Sequence, residues 1–308
     1  MTGLMWRDHG DDMGAVLGPD GHELATYSWS RQANHPYFHP VRPLGHRGVL
    51  TNHAPWDHRW HHGLWWSWKF LNGYLFWEDH PDYGGEHRGL GRSVVGAHEV
   101  EPVGVGVRIS ERLSWQLDGS GQELLSEERT IVAGPSSLDG AWSLDWDLTW
   151  TATTDVRMST TPRAQVAWGG YAGLNYRPAR SLGSRECLLA STGEGELGTV
   201  DARTVSWAAY LGSVDGAGND EPKVPAQGGL AILQHPDNVR FPAPAYAASA
   251  ENGFGFLAAA PLLDEDLDLP AQGRLRLRYR TLVLGRQVTA EELERAHAEY
   301  TTGSPLAR

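Results

Sequence analysis

This sequence predicts a mainly all-β fold: a large antiparallel β-sandwich of the extended, supersandwich kind, with one short C-terminal helix. Three observations carry that expectation. Several segments alternate apolar and polar residues with a period of two, as strands with one dry and one wet face do. The 37 glycines and 18 prolines are spread along all 308 residues, as many tight turns require. Long amphipathic patterns of helical period are missing until the end of the chain.

The clearest alternation covers 103–117, where Val103, Val105, Val107, Ile109, Leu113, Trp115 and Leu117 share a face that only Glu111 interrupts. Asp118-Gly119-Ser120-Gly121 then predicts a hairpin turn into a strand over 124–132. Over 143–151, Leu144, Trp146, Leu148 and Trp150 oppose Ser143, Asp145, Asp147 and Thr149, and 274–280 reads R-L-R-L-R-Y-R. The four arginines of that last strand suit a solvated sheet face better than an anion site. Thr289 followed by Glu292 forms a capping box, so a helix is expected over about 289–301. No linker or charge block divides the chain, and its length can bury a large core, so one domain over 1–308 is expected.

Composition narrows the function. A net charge of −12 disfavours nucleic acid and anionic membrane surfaces as partners. No apolar run reaches the roughly 20 residues of a membrane-spanning helix, and the start MTGLMWRDHGDD lacks a signal-peptide core. Cys187 is the only cysteine, which fits a reducing cytoplasm. Gly104-x-Gly106 lacks a third glycine and a following helix, so no nucleotide cofactor is expected.

The segment 53–68 concentrates four histidines, one aspartate and five tryptophans. Tryptophan offers flat apolar faces with one polar handle, and histidine titrates near neutral pH and ligates metals. His53, Asp57, His58, His61 and His62, with Glu78 as counterpart, are therefore candidate catalytic groups. Trp65 and Trp66, with His80 nearby, are candidate ligand-binding groups, although in a W-W-S-W strand Trp66 and Trp68 share one face and equally suit the core. His58, His61 and His62 could ligate a divalent zinc, manganese or iron, but their spacing matches no metal motif. Hydrogen bonding within a tight loop before Gly63 is the alternative role for each histidine, and it suits His58 and His62 least.

Glu111 stands on an apolar strand face, where a carboxylate is costly unless paired or at a cleft, or is turned outward by a bulge. Arg129, after Glu127 and Glu128, could hold sugar hydroxyls or make a cross-strand salt bridge.

The run Pro36-Tyr37-Phe38-His39-Pro40-Val41, then Pro55-x-Asp57-His58-x-x-His61-His62-Gly63-Leu64-Trp65, resembles the signature of the bacterial PmoA-like family, a domain of unknown function. Weaker echoes follow in Gly169-Gly170-Tyr171-x-Gly173-Leu174-x-x-Arg177 and His235-Pro236-x-Asn238, which add Tyr171, Arg177, His235 and Asn238 as candidate substrate-binding residues. That resemblance implies a sandwich similar to galactose mutarotase-like proteins and an association with sugar catabolism beside a nicotinamide-dependent sugar oxidoreductase.

Aromatic platforms with paired polar groups suit sugars, which present apolar C–H faces edged by hydroxyls. The expectation is a carbohydrate-active enzyme using histidine-centred acid–base or metal-assisted hydrolysis, elimination or epimerisation on a sugar or glycoside, with a 3-keto-glycoside as one candidate. The alternatives are a non-catalytic carbohydrate-binding accessory protein and a metal-dependent oxygenase.

Overall fold

The computed structural model describes residues 3–184, 186–195, 197–216 and 225–302. Its strands pair antiparallel in three sheets. The larger has nine strands, in the order Gly193–Gly195, Cys187–Ala190, Trp207–Val214, Ala226–Gln234, Arg274–Leu284, Ala141–Ala152, Glu123–Pro135, Gly106–Leu117 and Gly91–Val103. The second has eight, in the order Met5–Gly10, Met13–Leu17, Glu23–Ser28, Tyr37–Val41, Leu64–Ser67, Gly173–Tyr176, Phe254–Ala259 and Ala245–Ala250. A smaller sheet pairs Leu267–Leu269, Val156–Ser159, Phe70–Leu71 and Tyr74–Leu75. The chain is thus an all-β sandwich.

The two large sheets bury their facing sides against each other. Phe38 meets Trp146 edge-on at 5.7 Å, and Trp66 packs on Trp150 at 5.0 Å and on Tyr279 at 5.5 Å. The period-two pattern explains which side chains go there: Leu144, Trp146, Leu148 and Trp150 are buried in this layer. The four strand arginines face away, where Arg274 pairs with Glu128, Arg276 with Asp147, Arg278 with Asp237 and Arg280 with Asp145.

The strand expected over 103–117 is two. Gly91–Val103 and Gly106–Leu117 form a hairpin, and Val105, in its turn, is exposed rather than buried. Gly91–Val103 carries little alternation because much of it is exposed on both faces. The hairpin at 118–121 forms as expected, with the Gly121 amide donating to the Leu117 carbonyl at 3.0 Å.

Helix Ala290–Thr302 lies on the outer face of the nine-stranded sheet, burying Leu293 and Ala296 among Trp207, Leu233 and Leu282. Its capping box is complete: the Thr289 amide donates to Glu292 Oε2 at 2.9 Å, and the Glu292 amide to Thr289 Oγ1 at 3.2 Å. The outer face of the eight-stranded sheet carries a separate aromatic cluster including Trp65, Trp77, Tyr246 and Phe256.

Candidate functional site

That aromatic cluster floors a cavity of about 380 Å³. Strand alternation builds the floor. In Phe254–Ala259, Leu257 and Ala259 enter the inter-sheet core while Phe254 and Phe256 face the cavity; in Ala245–Ala250, Tyr246 and Ala248 do so. Trp65 supports the floor from the same side, packed 5.4 Å from the His61 ring and 5.5 Å from Trp77, whereas Trp66 points into the core. Adjacent residues of one strand thus serve opposite purposes.

The walls come from loops. One is the 53–63 segment, folded by bonds from the Ala54 amide to the His61 carbonyl and from the His58 amide to the Pro55 carbonyl. It closes at Gly63, whose φ of +80° favours glycine and whose position leaves no room for a Cβ, which would stand 2.5 Å from the Phe38 carbonyl oxygen. The Arg177 amide donates to the Gly63 carbonyl at 2.7 Å and fastens this loop to strand Gly173–Tyr176. Segments bearing Trp77, Glu78 and Tyr83, and then Trp168 and Tyr171, complete the enclosure.

Two polar groupings meet this aromatic space. In the first, Glu78 accepts from Lys69 Nζ at 2.5 and 2.8 Å and from the Tyr171 hydroxyl at 2.9 Å, while Lys69 Nζ also lies 2.6 Å from that hydroxyl. Lys69 and Glu78 are both buried. Burial lowers the Lys69 pKa and the Glu78 carboxylate opposes that shift; burial and Glu78 together push the Tyr171 phenol well up. Tyr171 therefore keeps its proton at neutral pH.

In the second, Asp57 pairs with Arg177 at 3.2 Å and Arg180 at 3.0 Å, and lies 3.7 Å from His58. Partial burial alone would raise Asp57, but Arg177 and Arg180 outweigh it and hold the carboxyl low. Arg177 Nη1 donates to His61 Nδ1 at 3.4 Å, so neutral His61 carries its proton on Nε2. Burial, then Arg177, lowers both His58 and His61, His61 far more because it is fully enclosed. Asp57 and Glu78 partly restore His58, which stacks on His61 at 4.7 Å. Both histidines are neutral near pH 7.

His58, His61, Glu78 and Tyr171 thus converge on the cavity, backed by Asp57, Arg177 and Trp65. His62 does not join them. It turns toward His53, with their Nδ1 atoms 3.4 Å apart and Tyr37 stacked on both rings. The expected ligand set of His58, His61 and His62 is therefore divided, and among the described residues no three His, Cys, Asp or Glu side chains group as metal ligands. His80 is exposed beside Tyr83, outside the lining.

Five other expected binding residues lie elsewhere. Trp66 is core. Glu111 and Arg129 are buried between the sheets, directly opposite one another across two strands. There Tyr27 and His98 bond Glu111 at 2.7 and 3.0 Å, and Arg129 Nε donates to Glu127 at 2.7 Å. Glu111 is thus neither at the cavity nor turned outward by a bulge; it belongs to a core ion network. Asn238 holds the main chain of Arg278 with bonds of 2.7 and 2.8 Å, and His235 packs edge-on to Tyr300 near the C-terminal helix.

Lys69 escaped the sequence reading although a signal exists. It is one of two lysines in a chain with 24 arginines, and it stands between Trp68 and Phe70. A compact ammonium placed among aromatics in a chain that otherwise uses guanidinium marks a position that needs a point charge. Trp60, Tyr83, Trp168, Tyr246, Phe254 and Phe256 also line the cavity from distant segments.

Fold and site together define an all-β sandwich protein with an aromatic cavity and an ionic, histidine-bearing wall on the outer face of one sheet. The chain belongs to a family of unknown function, DUF6807, whose model matches residues 15–298. No curated protein matches it.

Proposed function

We propose that this protein is an enzyme acting on a sugar or glycoside, with proton transfer carried out at the polar wall of the cavity. One observation carries the reading: a carboxylate, a phenol and two neutral histidines reach into a space otherwise walled by tryptophan, tyrosine and phenylalanine. Flat aromatic faces suit the C–H faces of a pyranose, and the few polar groups fix its hydroxyls. Neutral His58 is a base able to take a proton from a carbon beside a carbonyl, and the imidazolium formed lies next to Asp57. Tyr171 becomes a donor for the oxygen that gains charge once its hydroxyl proton turns from Glu78 to the ligand. Those roles suit elimination or epimerisation of an oxidised sugar such as a 3-keto-glycoside, and acid-assisted hydrolysis of a glycoside. No step in this reading passes through a metal. A cytoplasmic setting agrees with the single cysteine, and the PmoA-like and mutarotase-like resemblances agree with a carbohydrate ligand, although a fold carries no reaction by itself.

A second reading has its own support. Both Glu78 oxygens are already occupied by Lys69, and Oε1 by Tyr171 as well, which suits a fixed acceptor in a sugar-binding accessory protein. The two are separated by following glycosides and their 3-keto derivatives by NMR with the wild type and His58→Ala. The enzyme reading expects kcat to fall roughly 10²–10⁴-fold in a folded variant. Binding without turnover in the wild type would establish the accessory role, and turnover indifferent to His58→Ala would overturn the site.

A further inference from the structure

We infer that the ligand is larger than a single sugar ring: a glycoside whose second, flat apolar group leaves the inner cavity and seats on Trp168 and Tyr83. This rests on the carbohydrate reading and specifies its substrate class. The inner cavity is made of buried groups, Trp77, Glu78, His61 and Phe256. Trp168 and Tyr83 also line it, yet 46% of Trp168 and 49% of Tyr83 is exposed. Among the described residues the exposed large aromatics are these two and Trp56. Two of the three therefore line one cavity, and Trp56 stands outside its lining, with Arg180 5.6 Å from its ring. Isolated apolar exposure is common, but aromatic exposure collected at a cavity mouth marks a contact surface.

Trp168 is not exposed by slack in its loop. The Tyr246 hydroxyl donates to the Trp168 carbonyl at 3.0 Å, Arg163 Nε to the Gly169 carbonyl at 3.0 Å, and the Gly170 amide to the Thr161 carbonyl at 2.9 Å. Arg163 is itself held by Asp201 through bonds of 2.7 and 2.8 Å. Gly169 permits the closure, since a Cβ there would stand 2.3 Å from the Thr161 carbonyl oxygen. A fixed main chain holds an indole partly in water beside an enclosed polar pocket. Such an arrangement serves a ligand with two parts: a hydroxyl-rich ring for the inner wall and a flat face for the rim.

Isothermal titration of paired methyl and phenyl pyranosides, across common hexoses and pentoses in both anomers, tests this. A phenyl member should bind about tenfold more tightly than its methyl partner, the order expected for one aromatic contact. In Trp168→Ala or Tyr83→Ala, with melting temperature confirming the fold, the phenyl-to-methyl ratio should fall toward one. Methyl glycosides that bind as well as phenyl ones would overturn the inference and leave the carbohydrate reading standing. A phenyl preference that survives both substitutions would overturn the placement. Failure of every glycoside to bind would remove the carbohydrate reading and this inference with it.

Discussion

Lys69 balances the most enclosed charge at the cavity. Its ammonium faces Glu78 inside an aromatic shell, 4.5 Å from the Tyr171 ring centre and 5.8 Å from that of Trp168. Removing one partner of such a pair leaves the other charge buried and uncompensated. Lys69→Met should therefore cost about 3–5 kcal/mol of stability, read by urea denaturation, and should abolish ligand binding in whatever fraction stays folded. A variant as stable as the wild type would show that Glu78 takes up a proton or water without penalty. At this scale the sequence was a partial guide. His58, His61 and Glu78 were legible as chemistry-bearing residues in and just after the histidine–tryptophan cluster, and Tyr171 and Arg177 only through the family resemblance. Lys69 was marked only by the scarcity of lysine and by its aromatic neighbours, because a lone lysine reads as surface until its neighbours are known to be buried. The sequence favoured His62 over His61, yet His61 lines the cavity and His62 turns to His53, since period two sends neighbours to opposite sides without saying which side holds a cavity.

The 53–63 loop and the strands below it show the same division among elements. Gly63 turns the chain where a side chain would meet the Phe38 carbonyl and require a strained backbone. Gly63→Ala should lower stability by about 1–3 kcal/mol and displace His61 and His62, measured as a reduced denaturation midpoint together with weakened sugar binding. An unchanged midpoint would mean that the loop relaxes freely. Strand alternation was readable in 143–151 and 274–280, and the capping box at Thr289 gave the helix start. Glu111 stood open between pairing, a cleft and a bulge, and pairing is what occurs: Tyr27 and His98 satisfy it across the core. The partners that make it structural come from other strands, and one strand's pattern does not contain them.

Across the whole molecule, burial holds many histidines neutral. It lowers His35 to about 3 and His39 to about 4, and His53, His58, His61 and His62 are lowered as well. Unfolded, each would titrate near 6.5. Below that pH the unfolded chain binds more protons than the folded one, so stability must fall with falling pH. The loss begins near pH 6.5 and continues down to about 4 for His39 and about 3 for His35. Each histidine held neutral contributes a slope of about 1.4 kcal/mol per pH unit within its window. Urea midpoints at intervals from pH 7.5 to 4.5 should decline, and His39→Gln should make the decline shallower. A midpoint that is flat or rises on acidification would contradict the neutral cluster.

The cavity stands outside the sandwich core, on a face that the inter-sheet packing does not need. Its floor is strand and its walls are loop, tied to the floor by such bonds as Arg177 to Gly63 and Tyr246 to the Trp168 carbonyl. Loops tolerate replacement far better than the strands that carry them. Descendants of such a chain can therefore exchange the rim around Tyr83 and Trp168 and acquire new ligand preferences while inheriting the polar wall and the tryptophan-rich interior intact, so diversity within the lineage should collect in 79–90 and 163–168 and spare the layer between the sheets.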